Sequence, residues 1–268
     1  MSLAEKKLFL LDMDGTLYRG SEVFPTSEPF LRWLRDTGRD YVFLTNNSSK
    51  SYRAYIDSLG RMGIRSTVDD FMTSVQAMAD HLLEHYANRT IYVLGTESFR
   101  SELAEAGLTV TAERSPAVNC LVIGFDTELT LKKMEDACIL LNYDIPYFAT
   151  NPDWVCPTSY GYVPDCGSLM FGLEKATGKM PIVIGKPQAT MVLQAMKKKG
   201  VRPADTLVIG DRIYTDVKSG INAGVDTALV LSGESTLETL AASVDKPTYV
   251  VQDIRELWDL LLEEYRNV

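Results

Sequence analysis

Apolar and polar positions along the chain alternate between two rhythms. Short aliphatic and β-branched runs predict strands at residues 7–13, 41–45, 91–94, 120–124, 147–150, 182–184, 206–209 and 227–231. Between them, apolar residues three or four apart predict helices at 28–36, 51–59, 75–85, 131–141, 188–198 and 213–223, and residues 250–265 read as a strand end and a closing helix. Such alternation predicts an α/β fold with mostly parallel sheets. No internal repeat and no Gly/Ser linker interrupts it. Parallel sheets gather ligands beyond the carboxyl ends of their strands, so chemistry is expected where an apolar run stops at a polar cluster.

Four clusters meet that condition. Leu10-Leu11 runs into Asp12-Met13-Asp14-Gly15-Thr16, two carboxylates on one side if the strand continues. Carboxylates that close stay ionised together only with a cation nearby, although Asp-Gly also ends strands as a plain Asx-turn. Thr45-Asn46-Asn47-Ser48-Ser49 ends the second strand ahead of a helix; it is either an anion cradle or an N-cap through Ser48 or Ser49. Gly185-Lys186-Pro187 places a lysine at the expected start of a helix, with Pro187 in its first turn. A cation there is misplaced unless an anion fills the gap, or it is a solvated surface lysine. Finally, Gly210-Asp211 follows an apolar strand and Asp216 lies five residues on. Asp211 is placed to ligate a metal with Asp12, and Asp216 to hold a metal-bound water; the bland reading makes both dipole partners of a helix.

Taken together, these clusters resemble the haloacid dehalogenase superfamily of phosphohydrolases. The order Asp12-x-Asp14-Gly15-Thr16, Thr45-Asn46, Gly185-Lys186-Pro187 and Gly210-Asp211 through Asp216 is similar to its subfamily IIA, the NagD-like and p-nitrophenyl-phosphatase type. The resemblance covers nearly the full length. It implies a Rossmann-like core from residues 1–80 and 181–268, with an inserted α/β cap domain of C2 type at 81–180. It also implies hydrolysis of phosphomonoesters of small metabolites (sugar phosphate, nucleotide or similar) through an aspartyl-phosphate. Asp12 is then the nucleophile, Asp14 the general acid and base, and Lys186 the charge neutraliser. Thr45 and Asn46 bind the phosphoryl group. Mg²⁺ is held by the Asp12 carboxylate, the Asp14 backbone carbonyl and Asp211, with Asp216 behind it. Asp165 and Cys166, in the turn-rich segment 151–168, are expected near the leaving group. A phosphotransferase or mutase of the same superfamily is the alternative; a receiver-like phospho-accepting module and a non-catalytic sugar-phosphate binder fit less well.

The remaining features narrow the class. Net charge is −9 with a sequence pI near 4.9, so no basic face offers itself to nucleic acid. The longest basic run, Lys197-Lys198-Lys199 before Gly200, reads as a helix end. Cys120, Cys138, Cys156 and Cys166 lack Cys-x-x-Cys spacing, and no apolar run has bilayer length. The expectation is a cytoplasmic protein with reduced thiols, a small phosphorylated partner, no membrane or nucleic-acid partner, and a homodimer as one form of assembly. His81 and His85 share a helix face without a third ligand nearby and are read as solvated or capping residues. Trp33 is read as core; Trp154 is the other aromatic considered for stacking.

Overall fold

The computed structural model describes residues 2–158 and 160–266. Two compact units emerge. The first comprises Met1–Thr45, Ile56–Met72 and Lys186–Val268; the second comprises Asn46–Tyr55 and Thr73–Gly185. Relative to the expected division, 46–55, 73–80 and 181–185 group with the inserted unit. The reason is local: the helix Ser74–Tyr86 packs on the helix Glu97–Glu105, and Tyr52 N–H donates to Glu102.

The first unit is built on a six-stranded sheet. Its strands are β1 (Leu8–Leu11), β2 (Asp40–Thr45), β3 (Phe71–Thr73), β4 (Thr206–Gly210), β5 (Asp226–Val230) and β6 (Tyr249–Val251), in the spatial order β6-β5-β4-β1-β2-β3. The β1 pairs with β4 and with β2 are parallel, as are β4 with β5 and β5 with β6. All four residues of β1 and all five of β4 are buried, which explains why these strands read as continuous apolar runs and not as alternation. Strand order reverses between β1 and β4, where doubly wound sheets open a crevice at their carboxyl ends.

The second unit carries a five-stranded parallel sheet in the order Ile182–Val183, Tyr147–Ala149, Cys120–Ile123, Thr90–Leu94, Thr109–Thr111. Tyr92, Leu121, Ile123, Leu140 and Leu173 are among its core. The α/β class with parallel sheets is as the sequence predicts. Segment 151–168 is more ordered than its turn formers suggest: it holds the hairpin Val155–Thr158 and Gly161–Pro164, then opens the helix Cys166–Thr177.

Three local expectations change. The first strand stops at Leu11, so Asp12 and Asp14 do not share a strand face. The chain instead curls, with Leu17 N–H donating to the Met13 carbonyl and Gly15 at φ +86°, a region side chains avoid. Residues 213–223 are a π-turn, Ile213–Val217, followed by a short helix, Lys218–Ala223. Pro187 lies in a turn after a cis Lys186–Pro187 bond, and the helix begins only at Thr190. Lys186 is therefore not a helix-start lysine. The run Lys197–Lys199 does close that helix, with Gly200 as its left-handed cap.

All four cysteines are free thiols. Trp33 is half-buried in an aromatic cluster with Phe30, Trp258 and Tyr265, whereas Trp154 is 55% exposed and stacks on Phe171. No helix among the described residues is long and apolar enough to cross a membrane.

Candidate active site

Parallel pairing aligns Leu11 with Ile209, and Asp12 N–H donates to the Ile209 carbonyl at 2.8 Å. This fixes Asp12 one residue beyond β1, beside Gly210 and Asp211 at the end of β4. Lys186 reaches the same point, with its side chain only 4% exposed. Its Nζ donates to Asp12 Oδ1 at 2.7 Å, to Asp216 Oδ1 at 2.6 Å and to the Leu44 carbonyl at 3.3 Å. All three ammonium donors are thereby satisfied, as a buried cation requires. The Leu44 contact also ties Lys186 to the end of β2, where buried Thr45 is the last residue.

Asp216 is held from both sides, since its second oxygen accepts from Arg212 N–H at 3.0 Å. Asp211 Oδ2 accepts from Glu234 N–H at 2.7 Å, whereas Asp211 Oδ1 is buried and has no hydrogen-bond partner. One carboxylate oxygen each from Asp12, Asp211 and Asp216 lies within 4.8 Å of the others. Such proximity costs charge. Burial pushes the Asp12 carboxyl up to about 7, with Lys186 opposing and Asp216 adding to the rise. Burial, then the charges of Asp12 and Asp216, push Asp211 up to about 8. Lys186 is raised despite its burial, because Asp12 and Asp216 hold its proton.

The donor set fits a divalent cation. Three carboxylates meet one ammonium, with the Arg212 guanidinium acting on Asp12 and Asp211 from nearby, and one Asp211 oxygen has no hydrogen-bond partner. Oxygen-only ligands suit Mg²⁺ far better than zinc.

The loop after β5 completes the site and was not foreseen, although its Ser232-Gly233-Glu234-Ser235 wording is again a polar cluster after an apolar strand. A Cβ on Gly233 would come within 2.0 Å of Asp211 Oδ2, and one on Gly15 within 2.5 Å of the same atom. Two glycines therefore let the backbone close around that carboxylate. Glu234 also pairs with Arg212 at 2.9 Å.

Not every expected residue joins this group. Asp14 is exposed, and its Oδ1 accepts from Gly20 N–H at 3.2 Å; its side chain is outside the three-carboxylate cluster. Asn46 belongs to the second unit, where its amide donates to Asp153 at 3.0 Å and its carbonyl accepts from Ser74 and Asn151. Thr45 and Asn46 thus part at a unit boundary. Ser48 and Ser49 do not cap the following helix: Ser51 and Glu102 accept its first N–H groups, and Ser48 Oγ accepts from Phe125 N–H. Asp165, 4% exposed, caps the helix Cys166–Thr177, and the buried Cys166 thiol faces the Ile123 carbonyl. Among the described residues, His81 and His85 belong to no metal-ligand cluster.

Residues 9–109 match the family model described as haloacid dehalogenase-like hydrolase, and residues 183–257 match one described as HAD-hydrolase-like. The chain is 36% identical over 250 residues to the 5′-nucleotidase YutF of Bacillus subtilis, covering 93% of this chain and 96% of that protein. It superposes with TM-score 0.92 on a 4-nitrophenylphosphatase from Thermotoga maritima, at 38% identity over 97% of this chain and 98% of that one. It superposes with TM-score 0.89 on a glycerol phosphate phosphatase from Mycobacterium tuberculosis in complex with magnesium, at 29% identity over 96% and 78% of the two chains. With an acid-and-lysine cluster at the switch point of its sheet and full-length likeness to these proteins, the chain belongs to the haloacid dehalogenase-like hydrolases, in their NagD-like subfamily IIA.

Proposed function

We propose that this phosphoric monoester hydrolase works with Mg²⁺ through a phosphoenzyme on Asp12. The observation that carries the reading is the meeting of Asp12, Asp211 and Asp216 around one buried ammonium, with an Asp211 oxygen left unsatisfied. The glycerol phosphate phosphatase, solved in complex with magnesium and with calcium, supports a divalent oxygen-binding cation at this place. Asp12, Asp211 and the Asp14 carbonyl would hold the cation, with Asp216 behind them, and its charge would offset that of the phosphoryl oxygens.

Asp12 attacks phosphorus, the phosphorus–ester oxygen bond breaks, and Asp14 gives its proton to the departing oxygen. Water then attacks phosphorus, Asp14 takes a proton from it, and the bond to Asp12 breaks to free phosphate. Asp14 suits this shuttle because its exposed side chain is steadied by Gly20 N–H and is free of the Lys186 network. Lys186 and Thr45 position and neutralise the transferring group, the main demand of phosphoryl transfer. Substrates are small phosphomonoesters, as for the nucleotidase, nitrophenylphosphatase and glycerol phosphate phosphatase relatives. In this proposal the second unit is the cap that selects among them, Asp165 and Cys166 included.

Release of p-nitrophenol from p-nitrophenyl phosphate, with Mg²⁺ and with excess EDTA, tests the metal. Full activity in EDTA would overturn it. Asp12→Asn is expected to abolish turnover, and near-normal rates would overturn the covalent step. Asp14→Asn should cost roughly two to four orders of magnitude on alkyl esters and less on p-nitrophenyl phosphate, whose leaving group needs no proton.

A further inference from the structure

A cavity of about 490 Å³ opens in the first unit, lined by Arg32, Arg35, Arg65 and Tyr41 over an apolar floor that includes Leu31 and Ile64. Tyr41 is the second residue of β2 and Thr45 the last, so the cavity sits at the amino end of the strand whose other end borders Lys186. Four steps of extended chain carry Tyr41 to Thr45, about 13 Å. We propose that this cavity is a second anion site, distinct from the Asp12 cluster, that takes the phosphate group of a small molecule.

Charge is the first argument. The chain as a whole carries −9, yet this cavity shows three guanidinium groups against the carboxylates of Glu28 and Asp36. Of the further acids that act on Tyr41, Asp70 is already committed to Arg35 at 3.1 Å and to the Thr67 N–H and hydroxyl, and Asp40 pairs with Lys199 at 3.1 Å. Arg65 forms no ion pair among the described residues, and Arg32 meets Glu28 in an exposed pair at 3.3 Å. Exposed pairs of that kind contribute little, so an incoming anion displaces Glu28 at small cost.

Preorganisation is the second. The Arg35 guanidinium is pinned by Asp70 and lies 4.7 Å from the centroid of the Tyr41 ring, which is 1% exposed. A guanidinium already oriented loses little freedom when it forks onto an oxyanion. Phosphate, with more oxygens and charge than a carboxylate, is the group that more than one such fork can share. The cavity volume is within the range of small-molecule sites, and because Leu31 and Ile64 are 3% and 1% exposed, a ligand body would lie among the arginine side chains.

Two sources carry that chemistry here: inorganic phosphate, the product of hydrolysis, and an intact phosphomonoester. The test uses Mg²⁺-loaded Asp12→Asn protein, which leaves esters uncleaved, with arginine Nε resonances followed by NMR. Inorganic phosphate and p-nitrophenyl phosphate are titrated separately. Saturable shifts at Arg32, Arg35 and Arg65 are expected, weakened by about tenfold when Arg32→Ala and Arg65→Ala are added, the scale of one charge-assisted contact. Shifts with both probes mean that the phosphate group suffices; shifts with the ester alone mean that its body is recognised too. Either supports the site. In an otherwise unaltered enzyme, Arg65→Ala should leave the maximal rate on p-nitrophenyl phosphate within about twofold, because Arg65 lies outside the reacting groups. Arginine resonances that stay unmoved by both probes, or affinities unchanged in the double substitution, would overturn the proposal.

Discussion

Asp12 and Asp216 share one ammonium, and Asp211 is left to face them with an unsatisfied oxygen. This arrangement makes the metal-free protein sensitive to pH. Because the folded pKa values of Asp12 and Asp211 are raised, to about 7 and about 8, both groups hold protons that the unfolded chain has released above pH about 4. Stability in EDTA should therefore fall as pH climbs from about 4 toward 8, while Lys186, held above its ordinary value by Asp12 and Asp216 against its burial, stays charged throughout. Added Mg²⁺ should restore more stability at pH 8 than at pH 5. Thermal melts across that range, with and without Mg²⁺, check the sign; an EDTA melt that rises with pH would contradict it. Gly233→Ala tests the same carboxylate from the side of its neighbour. A methyl group 2.0 Å from Asp211 Oδ2 must push the acid or the loop aside. The Mg²⁺ concentration for half-maximal activity should rise by about tenfold or more, roughly 1.4 kcal/mol of lost binding.

Elements were legible where their periodicity was strong. β1, β2 and β4 and the helix Thr190–Lys199 were expected within a few residues, because buried parallel strands and a lysine-rich helix end leave local signatures. The short strands Phe71–Thr73 and Thr109–Thr111 and the helices Glu97–Glu105 and Cys166–Thr177 were not. Three-residue strands carry too little pattern, and the helix after Asp165 begins inside a run of turn formers. The helix Tyr52–Arg61 shows how an element takes its cap from far away. Glu102, 7% exposed, accepts from Tyr52 N–H at 3.2 Å, while its other oxygen is buried without a partner. Burial is the main cause that pushes this carboxyl up to about 7; the Tyr52 N–H bond opposes it first, and Arg53, paired with Glu105, last. A raised carboxyl favours the fold at low pH and loses that advantage as pH rises from about 4.5 to 7. Glu102→Gln keeps an acceptor for Tyr52 without the charge. Denaturant unfolding should show it more stable than the parent at pH 8, by about 1–3 kcal/mol, and equal near pH 4.

At the scale of the whole molecule, the proposed core, gripping only a phosphoryl group and a metal, would leave substrate choice to other surfaces. In the proposed arrangement, the hairpin Val155–Thr158 and Gly161–Pro164 carries Tyr162, 77% exposed and free to meet a leaving group. Tyr162→Ala should change relative kcat/KM among natural phosphomonoesters by about tenfold, while p-nitrophenyl phosphate moves much less. A substrate panel that falls by one common factor would assign Tyr162 a structural part instead. By itself, the sequence determined the α/β class, the acids that follow apolar strands, and the wording that marks the family, since strand ends and periodicity are local properties of the chain. Tertiary structure alone decided which of those polar residues meet. Asp12 and Asp211 converge because β1 pairs with β4, a partner far along the chain, and such pairing is set by the packing of the entire sheet. The same packing drew Lys186 off its expected helix start onto two aspartates, gave Asn46 to the second unit, and folded Gly233 and Glu234 over Asp211. None of these contacts has a neighbour-to-neighbour signature, because the groups that make them are brought together only when both strands and the loop after β5 are in place.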